Sequence, residues 1–135
     1  MSSGASHEFF CLFVNAPGLG VFISIEGDLY YGFWREDVYD GRGVFVWPDG
    51  GVHTGDYKEG VRQGHGVTSW PFGASYVGRY RRDQRHGHGI YHYPDGRRYE
   101  GEYENDRPHG RGTEIAADNK VLYDGMWSKG EFIKK

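Results

Sequence analysis

Along this chain ring-bearing and small residues alternate with polar ones on a two-residue period, and from Tyr30 the whole pattern recurs every 23 residues. Five strings set the register: Tyr30 to Trp34, His53 to Tyr57, Tyr76 to Tyr80, Tyr99 to Tyr103 and Tyr123 to Trp127. Aromatic, glycine and aromatic occupy positions one, three and five, with His53 in place of one ring, and a strand puts those positions on one face. Between them the later units carry Asp56, Arg79, Glu100 and Glu102, as a solvated opposite face requires. The second half of each unit holds a glycine pair, at Gly18/Gly20, Gly41/Gly43, Gly64/Gly66, Gly87/Gly89 and Gly110/Gly112, again two apart and so on one face of the next strand. A missing side chain permits close approach, so a ring from a neighbouring strand is expected over each of these glycines.

Seven residues beyond the second glycine comes a turn signal: Glu26-Gly27, Asp49-Gly50, Phe72-Gly73, Asp95-Gly96 and Asp118-Asn119. Asp-Gly suits the positive backbone angles of a tight hairpin, and Pro48, Pro71 and Pro94 mark strand ends where a missing donor is tolerated. The chain thus divides into an atypical first unit (7–29, in which His7, Phe9 and Cys11 stand where aromatic, glycine and aromatic are usual), units 30–52, 53–75 and 76–98, a fourth lengthened by one residue (99–122), and a closing half-unit (123–132). The expected fold is all-β: one domain over 1–135, an elongated, twisted antiparallel meander of consecutive hairpins, about ten to eleven strands and roughly 50 Å long. Such an array directs the search for function to a repetitive surface rather than to one catalytic pocket.

Residues 30–132 closely resemble the MORN (membrane occupation and recognition nexus) repeat family, whose units look like Y-x-G-x-W followed by H-G-x-G and a D-G turn. His53 departs from that pattern at the first aromatic, Asp40 and Gln63 at the histidine kept as His86 and His109, and Asn119 at the turn glycine. The string Asp83 to Tyr93 is most similar to MORN proteins of the ciliary radial-spoke head. The resemblance implies protein scaffolding in axonemal and cell-cortex structures, homodimerisation, junctions with membranes, or an accessory role beside lipid kinases or a lysine methyltransferase. No catalytic domain of those enzymes has a counterpart in the sequence, so an enzyme is not expected.

Composition sharpens this picture. Only 37% of residues are hydrophobic but 17% are aromatic, which suits a thin sheet with one well-covered face. The apolar run Phe9 to Val14 is far shorter than the ~20 residues of a membrane span, and Glu8 rather than a basic region precedes it. A lone cysteine and no Asn-x-Ser/Thr acceptor fit a reducing compartment, so a cytoplasmic, cytoskeletal or ciliary axonemal setting is expected. His86, His88 and His92 share strand parity, but no Cys, Asp or Glu completes a metal-ligand spacing, and no third glycine extends the pairs to a dinucleotide motif. Neither metal, cofactor nor catalytic centre is therefore assigned.

Charge is uneven. Unit 76–98 sets Arg79, Arg81, Arg82, Arg85, Arg97 and Arg98 against Asp83 and Asp95, a net of plus four, while unit 99–122 nets minus three. A solvated face with cross-strand ion pairs accounts for such a juxtaposition, and the alternative is a patch for an anionic partner, either an acidic protein or a phosphoinositide headgroup. The overall charge of minus three argues against nucleic acid. Two functions follow. The first is an adaptor whose aromatic face, through the ladder Trp34, Tyr57, Tyr80, Tyr103 and Trp127, receives a helix or extended peptide of a protein partner or larger cytoskeletal assembly. The second is a peripheral module that binds anionic lipid through the arginines. Phe9, Phe10, Leu12 and Phe13 make the first edge strand apolar, and another chain or a second copy is expected to cover it.

Overall fold

The computed structural model describes residues 9–13 and 18–135, with side chains from residue 18 onward. His7, and the side chains of Phe9, Phe10, Leu12 and Phe13, lie outside the described residues. Twelve strands form one antiparallel sheet in sequence order: β1 (Phe9–Phe13), β2 (Leu19–Ser24), β3 (Leu29–Arg35), β4 (Val38–Val46), β5 (Val52–Lys58), β6 (Val61–Ser69), β7 (Ser75–Arg81), β8 (Gln84–His92), β9 (Arg98–Glu104), β10 (Arg107–Ile115), β11 (Val121–Ser128) and β12 (Glu131–Lys134). The meander expected from the periodicity is present, with one or two strands more than expected because the chain's last residues, Glu131–Lys134, pair with β11 as β12.

The register aligns glycines across the sheet. Gly20, Gly32, Gly43, Gly55, Gly66, Gly78, Gly89, Gly101, Gly112 and Gly125 are successive cross-strand partners from β2 to β11. On this floor lie the first rings of each unit. A Cβ on Gly89 would stand 2.5 Å from Tyr76 Cε1, and one on Gly112 as close to Tyr99 Cε1. The hydroxyls of Tyr30, Tyr76 and Tyr99 then donate to the carbonyls of Phe33, Arg79 and Glu102 at 2.8–2.9 Å.

The second rings interleave edge to face with the first, so that Trp34, Tyr30, Tyr57, His53, Tyr80, Tyr76, Tyr103, Tyr99 and Trp127 run as one chain with centroids 4.9–5.6 Å apart. This single layer is the core. Edge-to-face contact suits the ring quadrupoles and adds about 0.5–1.5 kcal/mol per pair beyond area burial.

The expected role of the glycine pairs holds for their second members only. The first members, Gly41, Gly64, Gly87 and Gly110, sit in bulges at φ of +89° to +103°, where a left-handed backbone rather than an overlying ring requires glycine. The tight two-residue turns are also elsewhere. Asp49-Gly50 and Asp95-Gly96 belong to wider turns in which only the glycine has positive φ and the aspartate accepts from the backbone N–H two residues on. The turns with two consecutive positive φ angles are Glu36-Asp37, Glu59-Gly60, Arg82-Asp83, Asn105-Asp106 and Lys129-Gly130, at the opposite end of each hairpin.

Those tight turns dock on the preceding hairpin. Gly60, Asp83, Asp106 and Gly130 donate backbone N–H to the carbonyls of Tyr39, Arg62, Arg85 and Pro108 at 2.8–3.0 Å. A side-chain acceptor from the preceding bulge caps the turn as well: Asp40 takes the Glu59 N–H, Gln63 the Arg82 N–H and His109 Nδ1 the Lys129 N–H. Asp40 and Gln63, departures from the consensus histidine, therefore perform the same job as His109, since each offers an acceptor.

Candidate partner-binding groove

The ring face is open above its core and forms a groove bounded by two rails. Along one side stand Trp47, Trp70 and Tyr93, each at the end of a hairpin's second strand and 23 residues from the next. Along the other stand Tyr39, Arg62 and Arg85 at the start of β4, β6 and β8. Trp47, Arg62, Trp70, Tyr80 and Arg85 line one hollow of about 380 Å³, and Tyr39, Phe45, Trp47, Tyr57 and Arg62 a smaller one of about 200 Å³ beside it. Both hollows lie over the same groove.

Two arginines are built into the groove by identical staples. Arg85 donates from its backbone N–H and from Nε to Asp106 Oδ1, and from Nη2 to the Asp106 carbonyl, at 2.8–2.9 Å. Arg62 makes the same three bonds to Asp83 at 2.9–3.0 Å. Their guanidinium groups stack on core rings, Arg62 over Tyr80 at 4.8 Å and Arg85 over Tyr103 at 5.3 Å, a cation–π contact. Partial burial alone would raise the Asp106 pKa, but hydrogen bonds from Arg85 outweigh it and hold the carboxyl below its ordinary range.

Four nitrogen donors lining the larger hollow lack an acceptor among the described residues: Trp47 Nε1, Trp70 Nε1 and the Nη1 groups of Arg62 and Arg85. Trp127 differs, donating its Nε1–H to the Gly112 carbonyl at 3.0 Å.

His53 is the polar exception in the core. It is fully buried, its Nδ1 meets Thr68 Oγ1 at 2.7 Å, and Thr68 Oγ1 in turn contacts the Tyr80 hydroxyl. Its Nε2 has no partner among the described residues. Burial, followed by the nearby Arg62 charge, lowers its pKa from 6.5 to about 4, so the ring is neutral near pH 7. Burial pushes Tyr99 up to about 12 and Tyr80 and Tyr103 upward as well.

The sequence-predicted ladder lies under the groove rather than on its surface. Tyr57, Tyr80, Tyr103 and Trp127 are 4–7% exposed because each packs between two first-position rings, and Trp34, which meets Phe22, Tyr30 and Tyr39, is half-buried. The half-buried rings above them, Tyr39, Phe45, Trp47, Trp70, Tyr91 and Tyr93, are what a partner can touch. Trp47 and Trp70, each just before a proline and outside the Tyr/Gly/Tyr string, carried only that spacing as a signal.

The six arginines of unit 76–98 do not converge. Arg85 is stapled in the groove, Arg97 bridges Asp95 and Glu114, and Arg98 pairs with Glu100. Arg79 and Arg81 project from the opposite face and Arg82 from the adjoining turn, exposed and without a carboxylate partner. On that opposite face Asp56, Arg79, Glu100 and Glu102 stand as expected. Beside them, from β2 to β8, runs a largely apolar cross-strand row of Val21, Tyr31, Val44, Thr54, Val67, Val77 and Ile90, with Tyr31, Val67 and Val77 44–46% exposed. His88 pairs with Glu102 there at 3.4 Å. Among the described residues no helix is long and apolar enough to cross a membrane.

Comparison with known proteins bears on the same residues. The family model for the MORN repeat matches residues 30–52, 53–73, 76–97 and 99–121, well over half the chain. No curated protein matches the sequence.

Proposed function

The chain belongs to the MORN repeat family, a family of binding repeats, and from that premise we propose that it is a non-catalytic scaffold whose ring-face groove receives a segment of a protein partner. The observation that carries the reading is the stapled groove: rings half-buried above a sealed core, with four unpaired donors beside them. Isolated surface aromatics need no explanation, whereas rings fixed at one step per repeat around an open groove are the anchors from which interface hot spots are made. The buried ladder Trp34, Tyr57, Tyr80, Tyr103 and Trp127 contributes by holding those rings in place. A cytoplasmic assembly of the cytoskeleton or the ciliary radial spoke is the setting that the string Asp83 to Tyr93 favours.

Affinity purification with cross-linking from native cells, using wild type and a Trp47→Ala/Trp70→Ala variant, tests the reading. Cross-links from the groove to one partner, lost in the variant, support it; a partner retained unchanged by the variant overturns it.

A second reading rests on the opposite face. Arg79, Arg81 and Arg82 have no carboxylate partner, and the strand row Val67 and Val77 beside them is apolar, a combination that suits an anionic lipid surface. The backbone of β1 forms the first edge of the sheet, and its cover by another chain or a second copy remains part of the proposal.

A further inference from the structure

The two rails of the groove repeat with the hairpins. Trp47, Trp70 and Tyr93 on one side, and Tyr39, Arg62 and Arg85 on the other, each advance by two strands per step, about 9.6 Å at ordinary strand spacing. A ligand lying along the groove, across the strands, is read in register only if its own period matches.

A polyproline II helix turns once in three residues and about 9.3 Å, and so presents the same side to every repeat. Two turns of α-helix advance about 10.8 Å, and the error grows with each repeat. Successive same-face residues of an extended strand stand about 6.8 Å apart, which fits no whole step.

The groove also supplies donors for the carbonyls of such a ligand. The hollow offers nitrogen donors with no acceptor among the described residues, Trp47 Nε1, Trp70 Nε1 and Nη1 of Arg62 and Arg85, beside the Oδ2 atoms of Asp49 and Asp106, which have no donor there. Polyproline II has no internal hydrogen bonds, and proline brings a carbonyl acceptor without an N–H. An acidic peptide also brings acceptors, but Asp49 and Asp106 line the same hollow, Asp83 lines the smaller one beside it, and these carboxylates offset the two arginines.

Accepting the groove as the partner-binding surface, we propose that its ligand is a proline-rich segment in the polyproline II conformation, with proline at every third residue, laid across the strands from the Trp47 hairpin toward Tyr93. Proline rings pack between the rail aromatics, and the peptide carbonyls accept from the indole and guanidinium N–H groups.

Fluorescence anisotropy with the full chain tests this, using labelled peptides of about twelve residues, four polyproline turns. The first carries proline at every third position, the second carries an extra glycine after each triplet to break the period, and the third is an amphipathic helix. The first peptide is expected to bind about ten-fold more tightly than the second, the scale of one lost hot spot. Trp70→Phe, which keeps a ring and removes the N–H, should weaken it several-fold at unchanged melting temperature. Equal binding of the two proline peptides, no binding of the first, or no effect of Trp70→Phe overturns the proposal. Binding of the helical peptide alone, lost in Trp47→Ala/Trp70→Ala, overturns it while leaving the scaffold reading standing. If no peptide binds and the cellular partner is retained by that double variant, both fall.

Discussion

The Tyr76 ring occupies the space that a side chain on Gly89 would need, and its hydroxyl is tied at 2.8 Å to the Arg79 carbonyl, so neither ring nor backbone can give way. Gly89→Ala places a methyl 2.5 Å from Tyr76 Cε1, and the expected cost is about 3 kcal/mol, at the upper end for overpacking. Gly87→Ala, two residues away, is limited by its φ of +89°; the nearest atom to the new Cβ is the flexible Arg79 Cδ at 3.3 Å. That change should cost about 1–2 kcal/mol. Urea unfolding of the two variants checks the ranking, and an equal or reversed order contradicts the assignment of one glycine to packing and the other to backbone.

His53 introduces an acid-sensitive point into the core. Its pKa is about 4 folded against 6.5 unfolded. Above pH 6.5 both states hold it neutral and it adds no pH dependence. As pH falls from 6.5 toward 4, the unfolded chain takes up a proton that the folded chain refuses, so stability declines by about 3 kcal/mol across that window. His53→Tyr restores the ring found at Tyr30, Tyr76 and Tyr99 and should abolish this slope while leaving acid loss from the carboxylates at lower pH. Chemical unfolding at pH 7 and pH 5 measures it: wild type should lose about 2 kcal/mol between the two, the variant little.

The staple between Arg85 and Asp106 should matter more than the ion pairs on the opposite face. Arg85→Lys keeps the charge but cannot span Oδ1 and the carbonyl together, and leaves the half-buried turn short of a donor, at a cost of about 1–2 kcal/mol. Arg42, paired with Asp56 at 3.2 Å with side chains 66% and 40% exposed, should tolerate alanine within about 0.5 kcal/mol. Thermal unfolding of both variants at low and high salt distinguishes them, the Arg85 effect persisting in salt.

The parity of Tyr30, Gly32 and Trp34 disclosed the sheet, its face and its hairpin order, because a period of two within a period of 23 leaves little freedom in register. The turns were less legible. Asp49-Gly50 carries a strong hairpin signal, yet the tight turns are pairs such as Arg82-Asp83, whose positive φ angles are supported by bonds to Arg62 and Gln63 from the hairpin before. Tertiary docking, invisible to local propensity, selected them. The ladder shows the same limit. Spacing placed Tyr57, Tyr80 and Tyr103 on one face, but whether a ring on that face is covered depends on its neighbours, and the interleaving of Tyr76 between Tyr80 and Tyr103 seals them. Arg85 and Arg79, equal as charges in the sequence, separate because one strand position faces Asp106 and the other faces solvent.

That separation makes the competing functions distinguishable by three kinds of variant. Tyr80→Ala removes a buried ring that holds the Thr68 hydroxyl, and should cost about 3–5 kcal/mol of stability, so any binding it loses follows from unfolding. Trp47→Ala removes a half-buried ring at the groove mouth, and should weaken partner binding by about 2 kcal/mol with little change in stability. Reversal of Arg79, Arg81 and Arg82 to glutamate leaves the groove intact and, for a protein partner, should change chiefly the salt dependence and association rate. For anionic vesicles the order inverts, since each basic residue near the surface contributes about 1 kcal/mol and Trp47 lies on the other side of the sheet. Binding of each natively folded variant to a captured partner and to phosphoinositide vesicles gives the answer: vesicle binding abolished by the arginine reversal, together with a partner indifferent to Trp47→Ala, would move the functional surface from the groove to the opposite face.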